Sequence, residues 1–334
     1  MAQAGPRNLI SDVSGLRVGN AHDADLRSGV TVLLLDAPTP AAADVRGGGP
    51  GTRETRALDE GGVVPGIHAL VLSGGSAFGL DAASGVQSYL REQGAGFAVG
   101  PVRVPIVPQA VLFDLLNGGD KDWGRRPPYQ DIAFHACENA TSDFALGSAG
   151  AGFGASTERY KGGLGSASAL YGDITLGALA AVNAVGNVTI ADTHHFWAAP
   201  FELDHEFGGR GLPKTWPADA LEPRLKGALG ENTTLCVVAT DAELDRTNLK
   251  RLAIMAQAGL ARAVYPVNTP LDGDVVFALS CGGKSLGDPV YDLARLGALA
   301  ADTLARAIAR AVFEATAYET PPSPPAYRDL FPQR

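Results

Sequence analysis

The 334-residue sequence has few features of a secreted or nucleic-acid-binding protein. Its three cysteines (Cys137, Cys236 and Cys281) are widely spaced, odd in number and without a C-x-x-C pair. This pattern predicts neither a disulfide framework nor a metal knuckle, and it suits a reducing cytoplasm. No block of Lys and Arg offers a surface for phosphates, and the formal net charge is −9. We therefore expect no nucleic-acid partner.

Long apolar runs are also missing. The N-terminal residues MAQAGPRNLISDVSG contain no continuous apolar stretch behind basic residues, so we expect no secretory signal. The longest stretches of small apolar residues are interrupted by Asn, Gly or charge, so no membrane span is expected. These absences predict a cytoplasmic protein that does not contact a membrane.

The motifs of several enzyme classes are absent or incomplete. GGSAFG does not fit G-x-S-x-G, GAGFG does not fit G-x-G-x-x-G, and no G-x-x-x-x-G-K-[ST] occurs. Asp192, His194, His195 and His205 are imaginable as metal ligands, but adjacent histidines on an extended chain point to opposite faces. We expect neither a metal nor an organic cofactor.

Glycine is abundant and clustered. The chain has 42 glycines, without a collagen-like period. Clusters of this kind predict tight turns and close backbone approaches around a site. The clusters are VRGGGPG (45–51), LSGGSAFGL (72–80), GSAGAGFGAS (147–156) and KGGLGSAS (161–168).

Apolar patterns predict alternating strands and helices. Strands with both faces apolar, alternating with helices rich in Ala and Gly, suit two stacked sheets between helical layers. Residues 197–232 have scattered charge and few periodic apolar positions, which predicts an exposed connection, and the proline-rich tail predicts extended chain. The predicted strands include 30–35, 235–239 and 275–280, and the predicted helices are 80–90, 130–140, one beginning near Asp245, and 292–317.

Two threonines directly precede the strand predicted over 235–239. Threonine suits strand edges, which is one interpretation of Thr233 and Thr234. The other is that the chain is cut there, so that a threonine gains a free α-amine that activates its own hydroxyl. Such an amine has an unperturbed pKa of about 8. The hydroxyl could first attack the Asn232 carbonyl and convert the amide into an ester that water opens. These residues alone leave both interpretations open.

The stretch NTTLCVVATDAEL, followed by LKRLA and NTPLDGDVVFALS, resembles the β-chain start of the DmpA-type aminopeptidases and their relative, the nylon-oligomer hydrolase. These enzymes are self-cleaving amide hydrolases with an N-terminal Ser or Thr nucleophile. The resemblance covers most of residues 10–315 in matching order. Its upstream motifs are DVRGGGPGTRET, VLSGGSAFGLDAASGV, PIVPQAVLFDL, GSAGAGFGAS, KGGLGSAS and LAAVNAVGNV.

The resemblance implies a four-layer α/β/β/α sandwich, as in the DmpA and ornithine-acetyltransferase folds, with residues 1–334 in one domain. Thr233 matches the nucleophile, which makes Asn232–Thr233 the predicted scissile bond, and Thr234 is the rival nucleophile. Cleavage would give chains of 1–232 and 233–334, and the processed units are expected to form homo-oligomers.

An acidic pair is implied beside the nucleophile. Asp272 and Asp274 match residues that face it, and the single Gly273 between them lets both carboxylates point the same way on extended chain. They would orient the threonine, with one held protonated by mutual repulsion. The alternative interpretation is a D-G-D turn that leads into the strand at 275.

Other site residues are implied with their alternatives. Asn183 matches an oxyanion-binding amide, and could otherwise cap a strand end in the core. Lys161 matches a basic residue near the site, with Arg159 as the competing match. Phe113 stands where the nylon-oligomer hydrolase has a tyrosine, so the ring is kept and the hydrogen-bond donor is lost. The substrate-binding residues are expected to be Gly74, Gly75, Ser76 and Phe113.

The resemblance therefore implies an N-terminal threonine amidohydrolase or aminopeptidase that cleaves a small peptide or oligoamide through an acyl-enzyme. The loss of the tyrosine hydroxyl at Phe113 weakens the case for nylon oligomers. Two alternatives stay open. One is acyl transfer to an amine, as in ornithine acetyltransferase, and the other is an unprocessed scaffold that only binds a ligand.

Overall fold

A computed structural model describes residues 3–227, 232–320 and 322–332. The helices are α1 (Ala82–Glu92), α2 (Tyr129–Glu138), α3 (Arg246–Ala263), α4 (Tyr291–Phe313) and α5 (Tyr327–Leu330). The strands are β1 (Leu16–Asp23), β2 (Ser28–Thr39), β3 (Ala41–Val45), β4 (Gly51–Arg53), β5 (Ile67–Ser73), β6 (Phe97–Val99), β7 (Val102–Val104), β8 (Gln109–Val111), β9 (Gly163–Tyr171), β10 (Ile174–Asn183), β11 (Thr233–Ala242) and β12 (Val275–Lys284).

Two five-stranded sheets form the centre of the molecule. One has the strand order β1-β2-β5-β8-β4 and the other β3-β12-β11-β10-β9. In the second sheet β11 pairs antiparallel with β10 and parallel with β12, so it is an interior strand. Because an interior strand is covered on both faces and both edges, its unbroken apolar run is expected.

Alternating side chains of β11 enter two separate cores. Cys236 and Val238 belong to the core beneath α3 and α4, whereas Leu235 and Val237 belong to the core between the sheets. A third core lies between the other face of the first sheet and the helices α1 and α2. The layers are therefore α/β/β/α, and the predicted fold class is confirmed.

Small residues let helix α4 lie close to the second sheet. A Cβ placed on Gly165 of β9 would come within 1.9 Å of the Ala307 carbonyl oxygen and 2.4 Å of the Ala311 nitrogen. Any side chain at position 165 would push the helix outward. The abundance of Ala and Gly thus follows from close contact between helix and sheet.

Most predicted elements are present, with differences at their ends. Asp245 caps α3, its carboxylate accepting from the Asn248 N–H at 2.7 Å, as predicted. Helix α4 ends at Phe313, four residues before the predicted end. The tail is not wholly extended, because Tyr327 is buried and begins a short helix. None of the described helices is both long and apolar enough to cross a membrane.

The predicted irregular connection over 197–232 contains only a single turn of helix, Ala199–Phe201, among its described residues. It is less exposed than predicted, since one of its own residues, Phe207, is buried in the core below α4. Residues 228–231 of this connection lie outside the described residues.

Candidate active site

Thr233 is the first residue of β11, and its side chain is buried. Across the sheet it faces Asn183, the last residue of β10. The Thr233 hydroxyl donates to the carbonyl oxygen of Asn232 at 2.5 Å, and the Gly273 N–H donates to the same oxygen at 2.9 Å. The predicted nucleophile is therefore in contact with the peptide group that it is predicted to attack.

The first glycine cluster holds the D-G-D turn by its backbone. The N–H groups of Arg46 and Gly47 donate to the Asp274 carbonyl oxygen at 3.0 and 3.2 Å, and the Gly49 N–H donates to the Asp272 carbonyl oxygen at 2.7 Å. A Cβ on Gly47 would lie 2.3 Å from the Asp274 nitrogen. The close backbone approach expected of this cluster lies directly beside Thr233.

The two carboxylates of this turn are buried and bind N–H groups of neighbouring segments. Asp274 accepts from the N–H groups of Thr234 at 2.6 Å and Asn268 at 3.0 Å. Asp272 accepts from the N–H and hydroxyl of Thr269 at 2.9 and 2.8 Å. Burial and the charge of Asp272 raise the pKa of Asp274 to about 7, despite the N–H groups that stabilise its charged form. Asp274 therefore reaches Thr233 through the backbone of Thr234, whereas the Asp272 carboxylate contacts Thr269 and the Val185 N–H.

Asn183 pairs with Thr233 in the sheet and lines a cavity of about 110 Å³. Its Nδ2 donates to the Phe113 carbonyl oxygen at 2.9 Å, and its Oδ1 accepts from the Ser156 N–H at 3.0 Å and from Lys226 Nζ at 2.9 Å. The structure thus brings Asn183 and Phe113 to one cavity. The cavity is lined by Phe113, Asp114, Leu116, Asn117, Gly154, Ser156, Asn183 and Lys226.

Lys226 is a site residue that the sequence did not indicate. It lies six positions before Asn232 in the irregular connection, where no pattern distinguishes it from other exposed lysines. Its ammonium also donates to the Ser156 carbonyl oxygen at 2.7 Å. The uncut chain therefore places a primary ammonium group in its own cavity.

Lys161 is fully buried behind the cavity wall. Its ammonium donates to the carbonyl oxygens of Gly152, Ala155 and Gly162 at 3.2, 2.9 and 3.1 Å. Burial lowers the pKa of Lys161 to about 7. Donating to all three carbonyls at once requires three N–H groups on this nitrogen, which only the charged form of Lys161 supplies. These bonds hold the loop that carries Gly154 and Ser156, so Lys161 acts on the cavity from behind rather than at Thr233.

The competing residue, Arg159, lies at the surface. It pairs with Asp192 at 2.6 Å, and Asp192 also pairs with Arg224 at 2.8 Å. Asp192 is thereby engaged by cations. Within 3–227, 232–320 and 322–332, no group of three or more His, Cys, Asp and Glu side chains is arranged to hold a metal ion.

The glycine turn predicted to bind substrate packs behind Asp114. The Gly75 N–H donates to the Asp114 carboxylate at 2.8 Å, and Gly75 has a φ of +84°, which favours glycine. A Cβ on Gly74 would come within 2.1 Å of that carboxylate, and the Ser76 N–H donates to the Leu112 carbonyl oxygen at 2.9 Å. Because Asp114 lines the cavity, the turn shapes the cavity through this one side chain.

Comparisons with known proteins identify similar chains. The profile of Peptidase family S58 matches residues 8–323. An uncharacterized aminopeptidase of Mycobacterium tuberculosis is 43% identical, over 97% of this chain and 98% of its own. A 6-aminohexanoate-oligomer endohydrolase of Kocuria sp. is 27% identical, over 92% and 86% of the two chains.

A solved structure shares the fold. It is the L-aminopeptidase D-Ala-esterase/amidase of Ochrobactrum anthropi, described as a prototype for the serine aminopeptidases and a variant of the Ntn hydrolase fold. The TM-score is 0.74 at 21% identity, over 99% of this chain and 94% of that chain. The four layers described above are thus the fold of that solved structure.

Proposed function

The chain belongs to peptidase family S58 and is a hydrolase of amide bonds, and we propose that it is a self-cleaving aminopeptidase whose nucleophile is Thr233. The observation that carries this proposal is the 2.5 Å contact between the Thr233 hydroxyl and the Asn232 carbonyl oxygen. A buried hydroxyl at this position is held beside one peptide group and shielded from water.

Self-cleavage is proposed to begin with an intramolecular acyl shift. Thr233 Oγ1 adds to the Asn232 carbonyl carbon, forming a five-membered ring with its own Cβ, Cα and N. The C–N bond then breaks, the hydroxyl proton ends on the departing nitrogen, and Asn232 becomes an ester of the threonine. Water opens the ester, which gives an Asn232 carboxylate and a Thr233 with both a free α-amine and a free hydroxyl.

Hydrolysis of a substrate is proposed to use the same oxygen. The α-amine of Thr233 accepts the hydroxyl proton as Oγ1 attacks the substrate carbonyl, and the protonated amine then donates to the leaving nitrogen. The Asn183 amide stabilises the oxyanion, and water releases the acyl group. Asp274 holds the Thr234 N–H and so fixes the position of the adjacent nucleophile.

The cavity supports a substrate with a free amino group. Lys226 already places a primary ammonium against the Asn183 Oδ1 and the Ser156 carbonyl oxygen. A cavity of about 110 Å³ suits a small side chain better than a long oligomer. The identity to aminopeptidases, 43%, also exceeds the 27% to the oligomer hydrolase. We propose small peptides with a free N-terminus as the substrate class.

The test combines a gel with an activity assay. A denaturing gel should show two fragments, and the N-terminal sequence of the smaller should begin at Thr233. Thr233→Ala should remain one chain without activity on aminoacyl anilides, whereas Thr234→Ala should still be cut. Intact protein that is fully active would refute the proposal. Transfer of the acyl group to an added amine, without hydrolysis, would show that the enzyme is an acyltransferase and not an aminopeptidase.

A further inference from the structure

The site contains two hydrogen-bond donors suited to an oxyanion, and they serve different carbonyls. Resting on the self-cleavage proposed above, we propose that the Gly273 backbone N–H stabilises the oxyanion of self-cleavage, while the Asn183 side chain stabilises that of substrate hydrolysis.

The scissile carbonyl is bound to Gly273. When Thr233 Oγ1 adds to the Asn232 carbonyl carbon, negative charge develops on the oxygen that already accepts the Gly273 N–H at 2.9 Å. Asn232 and Asp272 form a parallel bridge, so this bond continues the β11–β12 ladder beyond the end of the strand. The donor is thus in place before the reaction and does not have to move.

The donor is also rigid. The carbonyl on one side of Gly273 accepts from Gly49, and the carbonyl of Asp274 accepts from Arg46 and Gly47. Fixed dipoles stabilise a developing charge best, because no reorganisation is required as the charge appears. The glycine cluster over 45–51 therefore has a catalytic consequence through the turn that it holds.

Asn183 is engaged on the cavity side. Among the described residues its amide donates to the Phe113 carbonyl oxygen and accepts from Ser156 and Lys226. None of these partners belongs to the scissile peptide group. Asn183 lines the cavity through which a substrate arrives, and Gly273 is not part of that lining.

Cleavage connects the two arrangements. Lys226 and Asn232 lie on the same upstream segment, and the Asn232 side chain donates to the Lys226 carbonyl oxygen at 3.1 Å. The Thr233 product keeps its place in the sheet, while Asn232 is no longer covalently attached to it. Displacement of Lys226 after the cut would remove its ammonium from the Asn183 Oδ1 and open the cavity beside this side chain to an incoming substrate.

The decisive experiment replaces one backbone N–H by oxygen. Glycolic acid at position 273, introduced during cell-free translation of the full chain, removes the proposed donor without adding atoms. We expect self-cleavage to slow by about 10²- to 10³-fold, the usual loss for one oxyanion donor. Glycolic acid at position 49 is the matched control, because it removes the N–H that donates to the Asp272 carbonyl oxygen and keeps the Gly273 N–H. It should slow cleavage by less than about tenfold.

The second variant is Asn183→Asp, which keeps an oxygen for Ser156 and Lys226 but loses the amide donor. It should self-cleave within about threefold of wild type and lose about 10²- to 10³-fold in kcat on an aminoacyl anilide. Unchanged cleavage with glycolic acid at 273, or equal loss of both reactions in Asn183→Asp, would overturn the assignment. If the wild-type chain itself is never cut before Thr233, it is the proposed function that fails.

Discussion

The backbone hydrogen bonds between the first glycine cluster (45–51) and the D-G-D turn (272–274) form a clamp. This clamp predicts that Gly47→Ala will fold but cleave itself slowly. The added Cβ would lie 2.3 Å from the Asp274 nitrogen, 2.5 Å from the Asp272 oxygen and 2.7 Å from the Asp272 carbonyl carbon. All three atoms are backbone, so no side chain can rotate away. Reaching an ordinary contact of 3.4 Å requires a shift of 3.4 − 2.3 = 1.1 Å.

That shift sets the expected magnitudes. Overpacking of a well-filled site costs about 1–3 kcal/mol in the free energy of unfolding. A displacement of about 1 Å between reacting groups can cost about 10²-fold in rate. Because Gly273 and Asp274 both belong to the displaced turn, the Gly273 N–H moves away from the Asn232 oxygen. We expect a folded chain that cleaves itself about 10²-fold more slowly than wild type.

Gly49→Ala is the matched control. It lies two residues along the same loop, yet its nearest atom from a new Cβ is the Asp272 oxygen at 3.7 Å, an ordinary contact. Both variants would be synthesised in a cell-free system with a pulse of labelled amino acid, and the 102-residue fragment (334 − 232) followed on denaturing gels. Equal cleavage rates for the two variants would show that the clamp does not position the scissile bond.

Two further predictions concern the titratable groups. Lys161→Met removes the ammonium from three buried carbonyls and leaves that of Gly162 without it, while Gly152 and Ala155 keep the N–H groups of Ala155 and Gly162. Urea denaturation should show a loss of at least about 1.5 kcal/mol in the free energy of unfolding. Arg159→Met removes an ion pair at the surface and should cost less than about 1 kcal/mol, so similar losses for the two variants would refute the assignment. The raised pKa of Asp274, about 7, means that the folded chain binds a proton that the unfolded chain has lost above about pH 4. The free energy of unfolding of wild type should therefore fall as pH rises from about 4 to about 7. An Asp274→Asn variant with the same pH dependence would show that Asp274 is not the group that titrates.

Local patterns in the sequence predict the elements that position the site, but not the contacts that complete it. The strand over 235–239 follows from its apolar run, and the start of α3 from a capping aspartate, because both signals lie within a few residues. The bond between Gly49 and Asp272 joins residues more than two hundred positions apart. A glycine cluster predicts that another part of the backbone lies close to it, but the sequence does not show which part.

The roles of two lysines show the same limit. Lys161 stands among glycines with no periodic neighbours, and its burial depends on a loop that closes around it with three carbonyls. The sequence predicts that the segment of Lys226 is exposed, and only the folded structure shows that its ammonium contacts Asn183. In both cases the backbone path, rather than the residue type, decides what the side chain contacts.

The sheet itself explains why a cut before Thr233 would leave a working site. Downstream of the bond, β11 pairs with β10 on one side and with β12 on the other, and the Thr234 N–H is fixed by Asp274. Upstream, Asn232 forms a bridge with Asp272, and its side chain donates to the Lys226 carbonyl oxygen at 3.1 Å. Breaking the peptide bond would therefore leave Thr233 in a strand that is paired on both edges and fixed by Asp274. A nucleophile that keeps its position after the cut is what the proposed self-activating hydrolase requires.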